Sequence, residues 1–221
     1  LVSTTDPEGH TAFNYYNEAG QLTATVGRAT VTYRYDALGQ LVESHTWALG
    51  AKTAYANTFT LNNASEKDII RRDVYDAQGQ LIEKIDGNQH VTHYTYDANG
   101  NVARTWQKGS DKRYTYDKEQ RLTQTATFDA DVCVVTDDVQ YNAFGDVVNK
   151  GLDGIFSTHV DYDTAGRVWR SNTQGFSHVY VYDLNARVTQ VIMSSNGPSS
   201  LDLSRIAHQD IASLDATLLH R

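Results

Sequence analysis

The sequence predicts an all-β chain, an antiparallel meander of two-strand repeats about 20 residues long, and three observations carry the prediction. The pattern Tyr-[Asp/Asn]-x-x-Gly-x-[Leu/Val] recurs at Tyr16-Asn17, Tyr35-Asp36, Tyr75-Asp76, Tyr96-Asp97, Tyr141-Asn142 and Tyr162-Asp163. Two more copies, at Tyr116-Asp117 and Tyr182-Asp183, keep Leu122 and Val188 but carry Gln120 and Ala186 in place of the glycine. Of the 14 tyrosines, eight head these motifs, and Tyr33, Tyr94, Tyr114 and Tyr180 stand two residues earlier, which on a strand is the same face. The intervals between motif tyrosines are 19, 40, 21, 20, 25, 21 and 20, so the interval of 40 is expected to hide an eroded unit around Tyr55 to Leu61.

The most regular copy shows why the repeat is a hairpin. Val91 to Tyr96 alternates β-branched and aromatic residues, which suits a half-buried strand. Asp97 then opens a turn, because its carboxylate can accept from the backbone just ahead, and Gly100 supplies the positive φ of a type I turn with a G1 bulge. With Ala98, Asn99 and Gly100 in the loop, Asp97 should face Asn101 and Tyr96 should face Val102, a cross-strand aromatic–aliphatic pair. A second, less regular set of turns is expected at Asp6-Pro7-Glu8-Gly9, Gly27, Asp86-Gly87-Asn88, Lys108-Gly109-Ser110-Asp111, Asp153-Gly154 and Gln174-Gly175. Between the turns lie strands such as Leu22 to Val26, Thr30 to Tyr35, Leu81 to Ile85, Val102 to Gln107, Leu122 to Phe128 and His178 to Tyr182.

Three places interrupt the period. Within Ala48 to Arg72, the polar run Leu61 to Lys67 reads either as a loop bulging from the array or as an eroded turn. Asp129 to Asp138 adds about five residues, read as a longer loop or a bulge near Asp129-Ala130-Asp131. Past Val191 the motif fades into Ser194 to Ser200, a loop by composition, and then Leu203, Ile206, Ile211, Leu214 and Leu218 approach helical spacing. That tail is read as a short C-terminal helix, with a degenerate repeat as the rival. The expected organisation is therefore a repeat array over 1–193 and a loop with helix or degenerate repeat over 194–221.

Composition narrows the function classes. The formal charge of −8 disfavours nucleic acid or an anionic membrane, which want clustered Lys and Arg. Cys133 is the single cysteine, so no internal disulfide forms, and its setting in Val132-Cys133-Val134-Val135 predicts a buried core residue rather than a nucleophile. No apolar run approaches the length of a transmembrane helix. Because Thr5 to Gly9 already forms a turn, the chain is read as a segment of something longer.

The unit Ile85 to Val102, which joins both turns to a Tyr-x-Tyr-Asp strand, resembles the YD-repeat, or RHS-repeat, proteins, and the resemblance extends over about residues 5 to 190. It implies a long sheet that curves or spirals into a hollow shell. In bacteria such shells enclose a toxic C-terminal polypeptide, in the polymorphic toxins and in the B and C components of insecticidal toxin complexes; teneurins are the animal relatives. The resemblance thus implies a secreted or extracellular location, a virulence role, and as partner a C-terminal toxin cargo or the remainder of the same shell. The family's Asp-Pro-x-Gly element lies near the end of the shell, whereas Asp6-Pro7-Glu8-Gly9 stands at the front and reads as a repeat turn, so neither self-cleaving aspartates nor a toxin are assigned. About eighteen strands at roughly 4.8 Å would close into a ring about 27 Å across, too narrow for a compact cargo of about a hundred residues with a radius of gyration near 13 Å. The segment is therefore expected to be part of a wall.

Catalytic, metal and cofactor chemistry finds no support. His90 and His93 are three apart, on opposite strand faces, and do not suit one metal. Asp137-Asp138 and the motif aspartates match neither an EF-hand loop nor a calcium-binding nonapeptide and are read as turn formers. No Gly-x-Ser-x-Gly elbow, phosphate-binding glycine loop or Cys-x-x-Cys pair is present. The expectation is a non-enzyme without catalytic, metal or cofactor residues. The rival function is a carbohydrate-binding or cell-surface adhesion module, with a glycan stacked on the tyrosines or on Trp47, Trp106 and Trp169. The rival fold is a β-propeller, since two repeats approach the length of a four-stranded blade.

Overall fold

The computed structural model describes residues 2–55, 58–172 and 177–193, and all regular structure among them is β-strand. The loop-and-helix reading of 194–221 and the turn expected at Gln174-Gly175 lie outside the described residues. The chain forms two compact units, Leu1–Lys112 and Arg113–Arg221.

In the first unit the strands are β1 (Val2–Thr5), β2 (Thr11–Tyr16), β3 (Leu22–Val26), β4 (Thr30–Tyr35), β5 (Leu41–Trp47), β6 (Ala51–Ala54), β7 (Phe59–Leu61), β8 (Ile69–Tyr75), β9 (Leu81–Ile85), β10 (Val91–Tyr96) and β11 (Val102–Gln107). Strand β12 (Ser110–Tyr116) carries the chain into the second unit, which continues with β13 (Leu122–Asp129), β14 (Val132–Tyr141), β15 (Val147–Leu152), β16 (Ile155–Tyr162), β17 (Val168–Ser171), β18 (His178–Tyr182) and β19 (Val188–Met193). In the first unit β1 to β5 and β8 to β11 pair antiparallel in succession. In the second, β13 to β19 do the same. Each run exceeds a four-stranded blade without a break, so the fold is the meander and not the propeller.

The motif turn has the expected geometry. Tyr96 pairs with Val102, and the register slips by one residue between Thr95 and Tyr96, which is the bulge. The Asp97 amide donates to the Asn101 carbonyl at 2.9 Å, and the Gly100 amide donates to the Asp97 carbonyl at 3.1 Å. Asp97 Oδ1 accepts from the amides of Asn99 and Asn101, each at 2.9 Å, and Gly100 lies at φ +86°. The same slip occurs at Tyr16, Tyr35, Tyr75, Tyr141, Tyr162 and Tyr182. Where the glycine is missing, Gln120 and Ala186 take its place at φ +62° and +61°, a conformation an L-residue adopts at a cost.

Two readings are corrected, the eroded unit of the array around Tyr55 to Leu61 and the buried setting of Cys133. The interval of 40 holds no repeat of the meander: β5 pairs directly with β8, and among the described residues β6 pairs with β7 as a hairpin set off from the main sheet, so of the alternatives for this stretch the one that bulges from the array holds. With no Tyr-Asp strand to continue the ladder, residues 48–68 instead use Ala51, Ala54 and Phe59 to cover a buried cluster of Tyr15, Ala24 and Val26. Tyr15 and Tyr55, the two tyrosines outside the repeat scheme, meet here, the Tyr15 hydroxyl donating to the Tyr55 carbonyl at 2.7 Å. Asp68 ties the base of the insertion down by accepting from the amides of Ala48 and Ser65, at 2.8 and 3.0 Å.

The turn expected at Asp86-Gly87-Asn88 forms, the Asp86 amide donating to the His90 carbonyl at 3.0 Å; its positive φ belongs to Gln89, at +66°, and a Cβ at Gly87 would collide with Ile69. The extra residues near Asp129 lengthen the strands, and of the two alternatives the bulge is what forms: the register slips by one residue between Thr127 and Phe128. Asp129 pairs with Val132 across a two-residue turn, with Ala130 at φ +44° and Asp131 at +65°. Strand β15 reaches only Leu152, opposite Asp137, so the far end of β14 projects past its neighbour. Cys133 is consequently exposed, with Val132 and Val134, and not a core residue. The buried cluster of this unit is Trp169, Val179 and Ile192.

Two substitutions at one motif position should move stability in opposite directions. Gln120→Gly relieves a left-handed residue worth roughly 1–2 kcal/mol but adds chain entropy to the unfolded state, for a net gain of about 0.5 kcal/mol. Gly100→Val forces a β-branched residue to positive φ and should cost about 2 kcal/mol. Urea midpoints at constant slope measure both; a Gly100→Val variant as stable as the parent would contradict the turn geometry.

Candidate functional site

The recurring chemistry of the described residues is a set of clamps from one repeat to the next. In a motif such as Tyr96 to Val102, alternation along the strand and the bulge put the tyrosine at the strand's end, leaning over the preceding hairpin. Its hydroxyl donates to the carbonyl of the Leu or Val that closed the preceding motif. The distances are 2.9 Å for Tyr35 to Leu22, 3.2 Å for Tyr75 to Leu41, 2.8 Å for Tyr96 to Leu81, 2.9 Å for Tyr141 to Leu122, 3.1 Å for Tyr162 to Val147 and 2.6 Å for Tyr182 to Val168. The bond from Tyr75 to Leu41 spans the whole 48–68 insertion, which confirms that the repeats on either side of it are spatial neighbours. Loss of solvent around the ring raises the phenol pKa of Tyr75, Tyr96, Tyr162 and Tyr182.

A second clamp uses the residue after the motif glycine, a position the sequence reading passed over. Gln21 and Gln40 donate from Nε2 to the carbonyls of Gly39 and Gly79 in the next motif turn, at 3.1 and 3.0 Å. Arg121 does likewise to the Asn142 carbonyl at 3.1 Å and lies 4.8 Å over the Tyr141 ring. Arg167 lies 4.6 Å over the Tyr182 ring. The signal was legible: in most copies this position holds a long polar residue, Gln or Arg.

Asp97, Asp117, Asp163 and Asp183 are held as carboxylates by these turns. A side-chain bond from Asn101 leads in lowering the pKa of Asp97, and the Arg187 amide leads in lowering that of Asp183. Arg121, Arg167 and Arg187 pair with Asp117, Asp163 and Asp183 at 2.7, 2.7 and 2.9 Å.

The isolated candidates are not brought together. His90 Nδ1 meets Asp86 at 3.2 Å within its turn, while His93 Nδ1 meets Glu83 at 3.3 Å and stacks on Trp106, with centroids 4.9 Å apart. Asp138 accepts from Gln124, Thr136 and the Gly154 amide, and these bonds, Gln124 first, keep its pKa low. Asp137 instead faces Thr125 and Leu152 across the neighbouring strands. Asp6, Glu8 and His10 gather exposed ligand atoms within 4.8 Å, yet Asp6 already ties the Glu8 and His10 amides into a turn, and Arg28 reaches Glu8 at 3.4 Å. The tryptophans are engaged by protein: Trp47 stacks on His45 with centroids 4.0 Å apart and donates to Thr32, Trp106 has Arg104 4.8 Å over its ring as well as His93, and Trp169 is 7% exposed.

Comparison with known proteins identifies the pattern. Residues 54–199 match the family model of the teneurin YD-shell, and residues 16–52 match that of the RHS repeat. No curated protein matches by sequence. Among solved structures, a TcdB2-TccC3-TEV crystal structure is similar at 16% identity and a TM-score of 0.48, over 88% of this chain and 13% of that one. A Photorhabdus luminescens Tc holotoxin pore is similar at 14% identity and a TM-score of 0.42, over 88% of this chain and 14% of that one. The chain thus spans about one seventh of the length of these two structures.

Removing one clamp tests its weight. Tyr96→Phe deletes the bond to the Leu81 carbonyl, so stability should fall by about 1 kcal/mol in urea unfolding. A second test follows from the aspartates. The folded pKa values of Asp97, Asp117, Asp163 and Asp183 lie below the unfolded value of about 4, so these residues contribute stability that is present above it and lost as the pH falls through the lowered folded values. The urea midpoint should therefore hold above that range and drop below it, and Asp97→Asn should flatten part of the drop.

Proposed function

The chain belongs to the teneurin YD-shell family, and from that premise we propose that it is a non-catalytic wall segment of a larger RHS shell that contains a toxic C-terminal polypeptide and helps deliver it. The observation that carries the reading is the repeated clamp of a motif tyrosine on the preceding repeat's carbonyl. Side chains that in an enzyme would converge on a substrate are spent here on joining hairpins. A wall made this way satisfies its backbone within the sheet and its polar side chains along its turns, so its job is shape. Containment would keep the cargo from folding productively or from harming its maker. A secreted setting and assignment of 1–193 to the array, with 194–221 beyond it, belong to the same proposal.

The engagement of Trp47, Trp106 and Trp169 by His, Arg and core residues favours a wall over a glycan-binding surface. No helix among the described residues is long and apolar enough to cross a membrane.

Limited proteolysis of the polypeptide that contains these repeats tests containment. The toxic segment should survive while the wall is intact and be cut when Gly100→Val and Tyr96→Phe together loosen it. Equal cleavage in both would overturn containment. Strong, saturable binding on a glycan array, lost on changing Trp106, would instead establish the adhesion reading.

A further inference from the structure

Acidic and apolar exposure coincide in one part of the second unit, on the strands β13 to β16. Residues 129–155 hold six aspartates, one lysine and no Glu, Arg or His, a net charge of −5 in a chain of −8. The same stretch exposes Val132, Val134, Leu152 and Ile155, the last at 76%. Strand register shows which side chains share a face, because cross-strand partners and alternate residues point the same way. Asp129 pairs with Val132, Thr127 with Val135 and Thr125 with Asp137, and this last row continues through Leu152 to Ile155. One face therefore carries Val132 and Val135 between two carboxylates, Asp129 and Asp137, and is widened by Leu152 and Ile155. Both carboxylates are exposed, and neither has a hydrogen bond or ion pair among the described residues. Other acids of the stretch are taken: Asp131 meets Arg113 at 3.2 Å, Asp153 accepts from the Thr136 amide at 2.9 Å, and Asp138 is held by Gln124 at 2.8 Å. Lys150 pairs with Val139, one row outside those between the two free acids.

We propose that this face docks an extended, basic and apolar segment of a partner polypeptide, with a Lys or Arg over each of Asp129 and Asp137 and an apolar residue between them on the valines. The rows of the two acids lie four residues apart along β13, about 13–14 Å. In an extended chain, residues i and i+4 point to the same side and span the same distance, so the segment that fits reads Lys/Arg-x-apolar-x-Lys/Arg. Charge chooses among the occupants. A second copy of the chain would bring its own surplus of aspartates against these, and an anionic membrane or a nucleic acid would be repelled in the same way. A basic segment instead meets two carboxylates that no described residue neutralises. Exposed ion pairs alone are weak, and burial of the valines, Leu152 and Ile155 supplies what charge does not. The inference goes beyond the wall reading and is independent of it, since this face can hold a segment whether or not the wall encloses a toxin.

The test titrates the full chain into a fluorescently labelled synthetic peptide, Gly-Lys-Thr-Val-Thr-Lys-Gly, and follows anisotropy at low salt. Saturable binding is expected, and the same peptide with Glu in place of both Lys should not bind. Asp129→Asn together with Asp137→Asn should weaken binding about tenfold, and Ile155→Ser about threefold. Raising the salt from about 50 mM to about 500 mM should weaken it about fivefold. Asp146→Asn, which removes one charge from a motif turn away from this face, should leave the affinity within about twofold. The altered side chains of the face are exposed, so urea midpoints equal to the parent's separate lost binding from lost fold. No saturable binding up to about 1 mM peptide, equal binding of the Glu peptide, or an affinity that neither face variant changes would overturn the proposal. A concentration-dependent dimer in sedimentation, lost on Ile155→Ser, would give the face to a second copy and overturn it as well. None of these outcomes bears on the proteolysis test of containment.

Discussion

One hydrogen bond organises this molecule, the donation from a motif tyrosine hydroxyl to the carbonyl that closed the preceding motif. It depends on the turn that follows the tyrosine. The bulge aims the ring back over the previous hairpin, and the bulge in turn needs a residue at positive φ three places after the Asp or Asn. Local turn chemistry and long-range register are therefore one device, repeated. Two antiparallel strands alone are marginal in water, so coupling each hairpin to its neighbour is what makes a long array of them persist.

Much of this was legible because the information is local. Alternation, Asp97 and Gly100 are enough to specify the loop, and Tyr96 falls opposite Val102 as a consequence. What was not legible depends on contacts distant in sequence. Nothing near Tyr55 reveals that its carbonyl accepts from Tyr15, or that β5 and β8 are partners, because the spacing of 40 looks like two periods whether or not a repeat fills it. Cys133 sits in an apolar run that would be core if a neighbouring strand were long enough to cover it, and β15 is too short. In the turn at Asp86 it is Gln89 that takes the positive φ, while Gly87 stands where Ile69 approaches from a strand distant in sequence.

The candidate site was read in the same uneven way. The absence of a converging constellation was an expectation from the sequence, and the structure explains the best-looking pieces individually: Asp138 by Gln124, Thr136 and Gly154, His93 by Glu83 and Trp106. The position after the motif glycine was overlooked because its partners lie in the next repeat. It does at the turns what tyrosine does at the strand ends. Where Gln21, Gln40, Arg121 and Arg167 stand at that position, the motif edge is tied to the following repeat at both the turn and the strand end.

The central claim concerns six tyrosine hydroxyl protons, and nuclear magnetic resonance can observe them directly. If the clamps exist in solution, the hydroxyls of Tyr35, Tyr75, Tyr96, Tyr141, Tyr162 and Tyr182 exchange slowly enough to be detected. Each would also show a cross-relaxation contact to the closing residue of the preceding motif. Hydroxyl protons that exchange at the rate of free tyrosine, with no contact between repeats, would contradict the account.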